Sequence, residues 1–336
     1  MTNATHVTKT AIHNVPTNII TGFLGAGKTT VIMNLLKQKP ANEHWAVLVN
    51  EFGEIGVDGN LLQGQHHDKH VFIQEVPGGC MCCAAGVPMQ VALNKLLKEA
   101  KPDRLLIEPT GLGHPKEVVQ VLSSAHYQGV LNIQQTITLV DARLLSDPRY
   151  TQHDTFNQQI AIADIIVGNK QDLYQQGDHE KLQHYIESLE GKQQQVMFTQ
   201  YGELPTNILN GETAKESEHA HHHHHHHNSK PLASELPMPA SGIIKAENQG
   251  EGFISVGWRF TANKVFNKPQ LEQLLTNLHV ERLKAVFITS DGMIGYNISH
   301  DETEEIALTQ LTESRVEIIV NEIDAHFEDQ LLAAIQ

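Results

Sequence analysis

Residues 18–30 read Asn18-Ile-Ile-Thr21-Gly22-Phe-Leu-Gly25-Ala26-Gly27-Lys28-Thr29-Thr30. A short apolar strand candidate, Asn18–Thr21, runs into a glycine-rich turn that ends in Lys-Thr. A helical stretch follows at once, Thr29–Lys39, with Val31, Ile32, Leu35 and Leu36 on one side. Strand, glycine turn, Lys-Thr and helix in that order are the context in which a P-loop works. Glycines let the backbone curl so that its N–H groups face phosphate oxygens, and the helix N-terminus adds favourable partial charge. The pattern gives Lys28 the β- and γ-phosphates and Thr29 a magnesium ion through its hydroxyl. Gly22, Gly25, Ala26, Gly27 and Thr30 complete the phosphate cradle.

Working outward, apolar runs of strand length alternate with helical stretches up to about residue 201. Trp45–Val49, Arg104–Ile107, Thr136–Val140 and Asp164–Val167 read as strands, and Val87–Ala100 as a helix with Leu93, Leu96 and Leu97 inward. Continuous apolar strands separated by helices predict an α/β fold with a mostly parallel sheet covered on both faces. Ligands in such sheets sit at the carboxyl ends of the strands. Four regions are expected: a mobile N-terminal extension (1–16), a P-loop domain (17–201), a His-rich linker (202–252) and a smaller C-terminal α+β domain (253–336). In the last, Phe253–Phe260 and Arg315–Val320 are strands, and Leu283–Thr289 and Met293–Ile298 pair about Asp291-Gly292. Lys268–Leu278 and Asp324–Ile335 are its helices, expected on one face of one sheet. No catalytic constellation is visible in it.

Composition narrows the partners. Of 336 residues, 40% are hydrophobic and 19% charged, an ordinary globular balance. Net charge is 24 − 39 = −15, a poor match to nucleic acid or an anionic membrane. No apolar run approaches the roughly 20 residues that span a bilayer. Met1–Pro16 lacks the apolar stretch of a signal peptide. The only cysteines are Cys80, Cys82 and Cys83, within four residues. An odd, clustered set fits a reducing compartment and a thiolate metal site better than disulfides, so the cytoplasm is expected.

Two further motifs belong with the P-loop. Asn169-Lys170-Gln171-Asp172 follows the strand 164–167. A carboxylate there can accept from the N1–H and exocyclic amine of guanine, a donor pair that adenine lacks. In this chain order the motif favours GTP over ATP. Between the two motifs, Leu105–Ile107 ends in Glu108, an acid placed for a second magnesium contact. Gly111 could offer its N–H to the γ-phosphate, which would make Leu112–Glu117 a nucleotide-sensing loop.

Zinc takes four ligands and binds thiolates tightly. Cys80-Met-Cys82-Cys83, preceded by Gly78-Gly79, supplies three at most, leaving the fourth to another group or open. An incomplete shell suits a site that gives its metal away. Glu51, Glu54 and Asp58 could serve magnesium, the attacking water or zinc, and sequence alone does not assign them. His221, His222, His223, His224, His225, His226 and His227 form an unbroken run, with His219 just before, and such tracts attract metal.

Together these segments resemble the CobW-type family of metal-related P-loop GTPases over nearly the whole chain. The markers are residues 20–30, Asn50-Glu-Phe-Gly-Glu-Ile-Gly-Val-Asp58, Gly78-Gly-Cys-Met-Cys-Cys83, Ile107-Glu-Pro-Thr-Gly-Leu-Gly-His-Pro115 and the Asn-Lys-x-Asp motif. The resemblance implies a GTP hydrolase that delivers zinc, or sometimes cobalt, to client enzymes. It implies that Gly22–Thr29 binds the phosphates, that Asn169, Lys170 and Asp172 read guanine, and that Cys80, Cys82 and Cys83 hold a transferable zinc. It also implies a C-terminal α+β domain joined through a His-rich stretch. Two positions depart from the pattern: Pro109 replaces a small polar residue, and Arg282-Leu-Lys284-Ala285 carries alanine in place of glycine.

The expected activity is therefore a GTP-dependent zinc metallochaperone using GTP, Mg²⁺ and Zn²⁺. Its partner would be a zinc-requiring client protein, and a metal-dependent homo-oligomer is open. The rivals are a zinc buffer built on the histidine run, a P-loop kinase, and the same mechanism with cobalt or nickel cargo.

Overall fold

The computed structural model describes residues 12–50, 70–76, 87–113, 115–189, 194–213, 236–250, 253–276, 278, 280–299, 302–322, 324 and 326–336. The first sheet has eight strands. They are β1 (Val15–Gly22), β2 (Trp45–Asn50), β3 (Val71–Val76), β4 (Arg104–Glu108), β5 (Leu131–Ile133), β6 (Ile137–Val140), β7 (Ile165–Gly168) and β8 (Gln195–Phe198). Their order is β3-β2-β4-β1-β6-β7-β8, with β5 also on β1, and every pairing is parallel.

The parallel order follows from apolar residues at consecutive positions. Ile20, Val47, Val49 and Leu106 face α1 (Lys28–Lys37), where Val31, Ile32 and Leu35 meet them. Their chain neighbours Ile19, Leu48, Leu105 and Ile107 face the other way, onto Leu93 and Leu96 of α2 (Val87–Ala100) and Val118 of α3 (Pro115–Leu122). Strands buried on both faces need helices on both faces. Two further helices, α4 (Asp154–Ile162) and α5 (Asp178–Ser188), cover the β6–β7 side through Phe156, Ile160 and Leu182.

The second sheet is antiparallel: β9 (Ile243–Gly250), β10 (Phe253–Thr261), β11 (Arg282–Thr289), β12 (Gly292–Ser299), β13 (Glu302–Leu308) and β14 (Glu313–Val320), in the order β13-β12-β11-β14-β10-β9. Helices α6 (Lys268–Thr276) and α7 (Phe327–Ala333) lie on one face. Leu271, Leu275, Phe327 and Leu331 from them pack on Trp258, Phe260, Leu283 and Phe287.

Three expected boundaries move. Strand β1 begins at Val15, inside the stretch read as an N-terminal extension, because Val15 pairs with Leu131 and is buried. The first unit runs past 201: Leu204, Ile208 and Leu209 are buried against the α1-side core, and the Asn18 amide donates to the Leu209 carbonyl at 3.1 Å. The second unit begins at Ile243, not 253, because β9 pairs with β10 along its whole length. The expected loop 112–117 is also partly helical: α3 starts at Pro115, whose missing N–H costs nothing at a first helical position. No helix among the described residues is long and apolar enough to cross a membrane.

Candidate functional site

In a parallel sheet all carboxyl ends share one edge, and the sequence motifs collect there. Gly22 ends β1, Glu108 ends β4 and Asn169 follows β7. Between Gly22 and α1 the chain turns through left-handed glycines, Gly25 at φ 71° and Gly27 at φ 92°. Gly27 is required twice over: its φ excludes most side chains, and a Cβ there would run into the Asn169 amide.

The Lys28 ammonium donates to the Gly22 and Phe23 carbonyls at 2.8 and 3.2 Å, so it lies over the loop. The Thr29 hydroxyl donates to Glu108 Oε1 at 3.0 Å. A hydroxyl and a buried carboxylate at that spacing fit a shared magnesium ion, since the cation takes hard oxygen ligands. Gly111 packs directly on the loop. A Cβ there would stand 3.1 Å from both the Leu24 N and the Lys28 ammonium.

Asn169 braces rather than points outward. Its amide donates to the Ala26 carbonyl at 2.9 Å and accepts from the Gly202 N–H at 3.2 Å. Lys170 is held at φ 61°, an uncommon conformation for a lysine. Asp172 is exposed and lines the same cleft. Thr30 lines it as well, next to Gly25, Gly27, Lys28 and Thr29.

Sequence reading missed two sets of cleft residues. Leu173 and Tyr201 flank Asp172 and are exposed apolar surfaces where a base could stack. The loop that carries Tyr201 is tied to α1 by Asn34, whose amide donates to the Tyr201 carbonyl at 2.9 Å. More unexpectedly, the second unit covers the cleft. Arg282, Lys284, Asn297, Ser299 and Glu304 line it, and the Lys284 ammonium donates to Thr29 Oγ1 at 3.1 Å. In the sequence the stretch Arg282-Leu-Lys284-Ala285 stands out only for its alanine, and no local pattern places Arg282 or Lys284 near Thr29.

Elsewhere the two units meet through apolar and charged contacts. Phe23 of the P-loop packs edge-on against Phe253 of the second unit, with centroids 6.4 Å apart, and against Tyr150 of its own unit at 5.3 Å. Arg149 pairs with Glu281 at 3.1 Å. Burial raises the Tyr150 phenol above its ordinary range, and the Glu281 carboxylate adds to the shift. Tyr150 therefore stays protonated and donates to Glu281 Oε2 at 3.4 Å.

The expected metal ligands Cys80, Cys82 and Cys83, the acids Glu51, Glu54 and Asp58, and His219 and His221–His227 lie outside the described residues. Among the described residues no group of three His, Cys, Asp or Glu side chains could hold a metal ion. The chain enters these segments from the nucleotide edge. Val49 pairs with Glu108, Asn50 pairs with Val76, and Cys80 is four residues beyond Val76.

A parallel sheet with a glycine-rich phosphate loop at its carboxyl edge, joined to a smaller antiparallel unit, defines a P-loop nucleotide-binding protein. The nucleotide-binding domain described as CobW/HypB/UreG matches residues 16–197. The chain belongs to that family. It is 40% identical over 314 residues to the zinc chaperone YeiR of Escherichia coli (strain K12), covering 90% of this chain and 92% of that one. It is 30% identical to the zinc chaperone CobW of Sinorhizobium sp, over 59% of this chain and 62% of that one. The solved Zn(II)-bound YjiA GTPase from E. coli covers 96% of this chain at 17% identity, 99% of its own, with a TM-score of 0.42.

Proposed function

We propose that the protein is a GTP-hydrolysing metallochaperone that binds zinc at Cys80, Cys82 and Cys83 and releases it to a client protein when GTP is spent. The observation that carries the reading is the Thr29–Glu108 contact at 3.0 Å, at the same carboxyl edge of the sheet from which β3, two strands from β4, leads into the cysteine segment. Lys28 and the N–H groups of residues 25–29 would bind the β- and γ-phosphates, and Thr29 and Glu108 would hold magnesium. When bound, that ion neutralises charge on the phosphate oxygens. Asp172 would read the guanine edge, with Asn169 holding the P-loop beneath it.

Zinc enters as cargo. Its support is the named activity of the YeiR and CobW relatives and the three clustered thiols. The γ-phosphate would order the segments that leave β2, β3 and β4, and its loss would loosen them. Coupling of this kind is reciprocal, so a nucleotide that tightens zinc is itself tightened by zinc.

The test is zinc affinity by competition with a chromophoric chelator, on protein lacking residues 218–228 and loaded with GDP or a non-hydrolysable GTP analogue. A difference of about 5–150-fold between the two states is the expected coupling. Equal affinities would sink the transfer reading. The same titration with cobalt and nickel decides the cargo. Replacing Cys80, Cys82 and Cys83 with alanine should leave GTP binding intact and abolish any zinc effect on hydrolysis.

A further inference from the structure

The antiparallel unit brings its own cations to the phosphate cleft. On β11, Leu283, Ala285 and Phe287 point to the helix-covered core, so Arg282 and Lys284 belong to the opposite face. That face meets the P-loop. Lys284 is paired with Asn297 and Arg282 with Ser299 across to β12, and all four line the cleft beside Thr29. Lys284 is 4% exposed and Arg282 6%. Glu317 stands opposite Lys284 on β14 and Glu304 lines the same cleft, and a nucleoside triphosphate would add negative charge within reach of both cations.

We propose that Lys284, with Arg282 beside it, binds the γ-phosphate and is supplied to the P-loop in cis by the second unit. This rests on the nucleotide reading of the cleft and adds the groups that tell a triphosphate from a diphosphate. Two distances set the location. The Lys284 ammonium is 3.1 Å from Thr29 Oγ1, which is 3.0 Å from Glu108 Oε1. The Thr29–Glu108 pair marks the γ-phosphate end of a P-loop site, whereas Asp172 and Leu173 mark the base end. A lysine stem carries its charge through several rotatable bonds, so a shift from the hydroxyl to a neighbouring phosphate oxygen needs no movement of β11. Positive charge delivered at that point stabilises the charge that the leaving phosphoryl group spreads over its oxygens, as an arginine finger does.

The experiment uses the full chain with fluorescent GDP and a fluorescent non-hydrolysable GTP analogue, both with Mg²⁺. Lys284→Gln keeps a donor for Thr29 and removes the charge. Its affinity for the triphosphate should fall at least about tenfold, as for the loss of a charge-assisted hydrogen bond, while GDP affinity changes less than about threefold. Single-turnover GTP hydrolysis should slow as well. Lys284→Arg should keep most of the preference for the triphosphate. Equal losses for both nucleotides would mean that Lys284 acts through the fold, and would overturn the proposal. So would an unchanged or tightened triphosphate affinity. If Lys284→Gln melts early, Arg282→Gln is measured in its place, with the same expected bias toward triphosphate loss. Wild-type protein that binds neither nucleotide would sink the nucleotide reading and this inference together. Wild type that binds both, beside an indifferent variant, would sink this inference alone.

Discussion

Asn169 ties the guanine-type motif to the P-loop: its amide donates to the Ala26 carbonyl at 2.9 Å and accepts from the Gly202 N–H at 3.2 Å. Both partners are backbone groups from segments distant in the chain, and Asn169 is buried. Asn169→Ala removes both bonds and leaves a buried carbonyl and N–H to be satisfied otherwise. The expected cost is about 1–3 kcal/mol of stability. GDP and GTP affinities should fall together, because the P-loop itself is loosened. Urea unfolding and fluorescent-nucleotide titration of the same variant check this. Full stability with a loss confined to base selectivity would contradict the bracing role.

Asp172 makes the contrasting case. It is exposed at the cleft and braces nothing in the P-loop. Asp172→Asn exchanges an acceptor for a donor that would face the N1–H and amine of guanine. GTP affinity should drop by about 10–100-fold, the worth of one charge-assisted hydrogen bond, with no change in unfolding midpoint. A xanthine nucleotide, which presents a carbonyl where guanine has its amine, should lose less. Competition between GTP and its xanthine counterpart in both proteins measures the shift.

The residues legible from sequence are those whose roles are local. The P-loop, Glu108 and Asn169–Asp172 each lie at a strand end, within a few residues of the apolar run that announces the strand. Lys284 reaches Thr29 across 255 positions, so no window of sequence contains the contact. Strand β9, Ile-Ile-Lys-Ala-Glu-Asn-Gln-Gly, is polar because it lies at a sheet edge, and its composition reads as linker. The four-residue strand β8 and the three-residue strand β5 are too short for periodicity to register. Asn169 reads as part of the Asn-Lys-x-Asp motif, but its side chain serves the P-loop backbone, which only the packed structure reveals.

The antiparallel unit carries a predictable acid sensitivity. Glu328 accepts from Lys245 at 2.6 Å and from the Trp258 indole at 3.2 Å. The Lys245 ammonium, chiefly, holds the Glu328 carboxyl below its ordinary 4.5, despite some opposing burial. Because the folded value is the lower one, the contribution is whole above 4.5 and is lost as pH falls through the folded value. Glu328→Gln should therefore be less stable than wild type near neutrality and lose less on acidification. Denaturant midpoints between about pH 7 and about pH 3 would show the two curves converging, and parallel curves would exclude a role for Glu328.

Phe253 offers the sharpest test that the two units are mechanically joined at the phosphate site. Its ring lies 6.4 Å from Phe23 and 6.3 Å from His153, centroid to centroid, and it shares a buried cluster with Leu24, Leu112 and Ile319. Phe23 and Leu24 are P-loop residues, so the apolar seam between the units is also the support of the loop. The nearby Arg149–Glu281 pair is largely solvated on the arginine side and is worth at most about 1 kcal/mol. Removing a buried phenyl ring costs about 3–5 kcal/mol, so the aromatic seam and not the ion pair sets the docking strength. Phe253→Ala should split thermal unfolding into two transitions and weaken nucleotide binding, although Phe253 lines no part of the cleft. Glu281→Ala should do neither. Calorimetry with and without GDP would separate the two variants. A Phe253→Ala protein that melts early yet binds GDP at wild-type strength would mean that the P-loop holds its shape without the second unit.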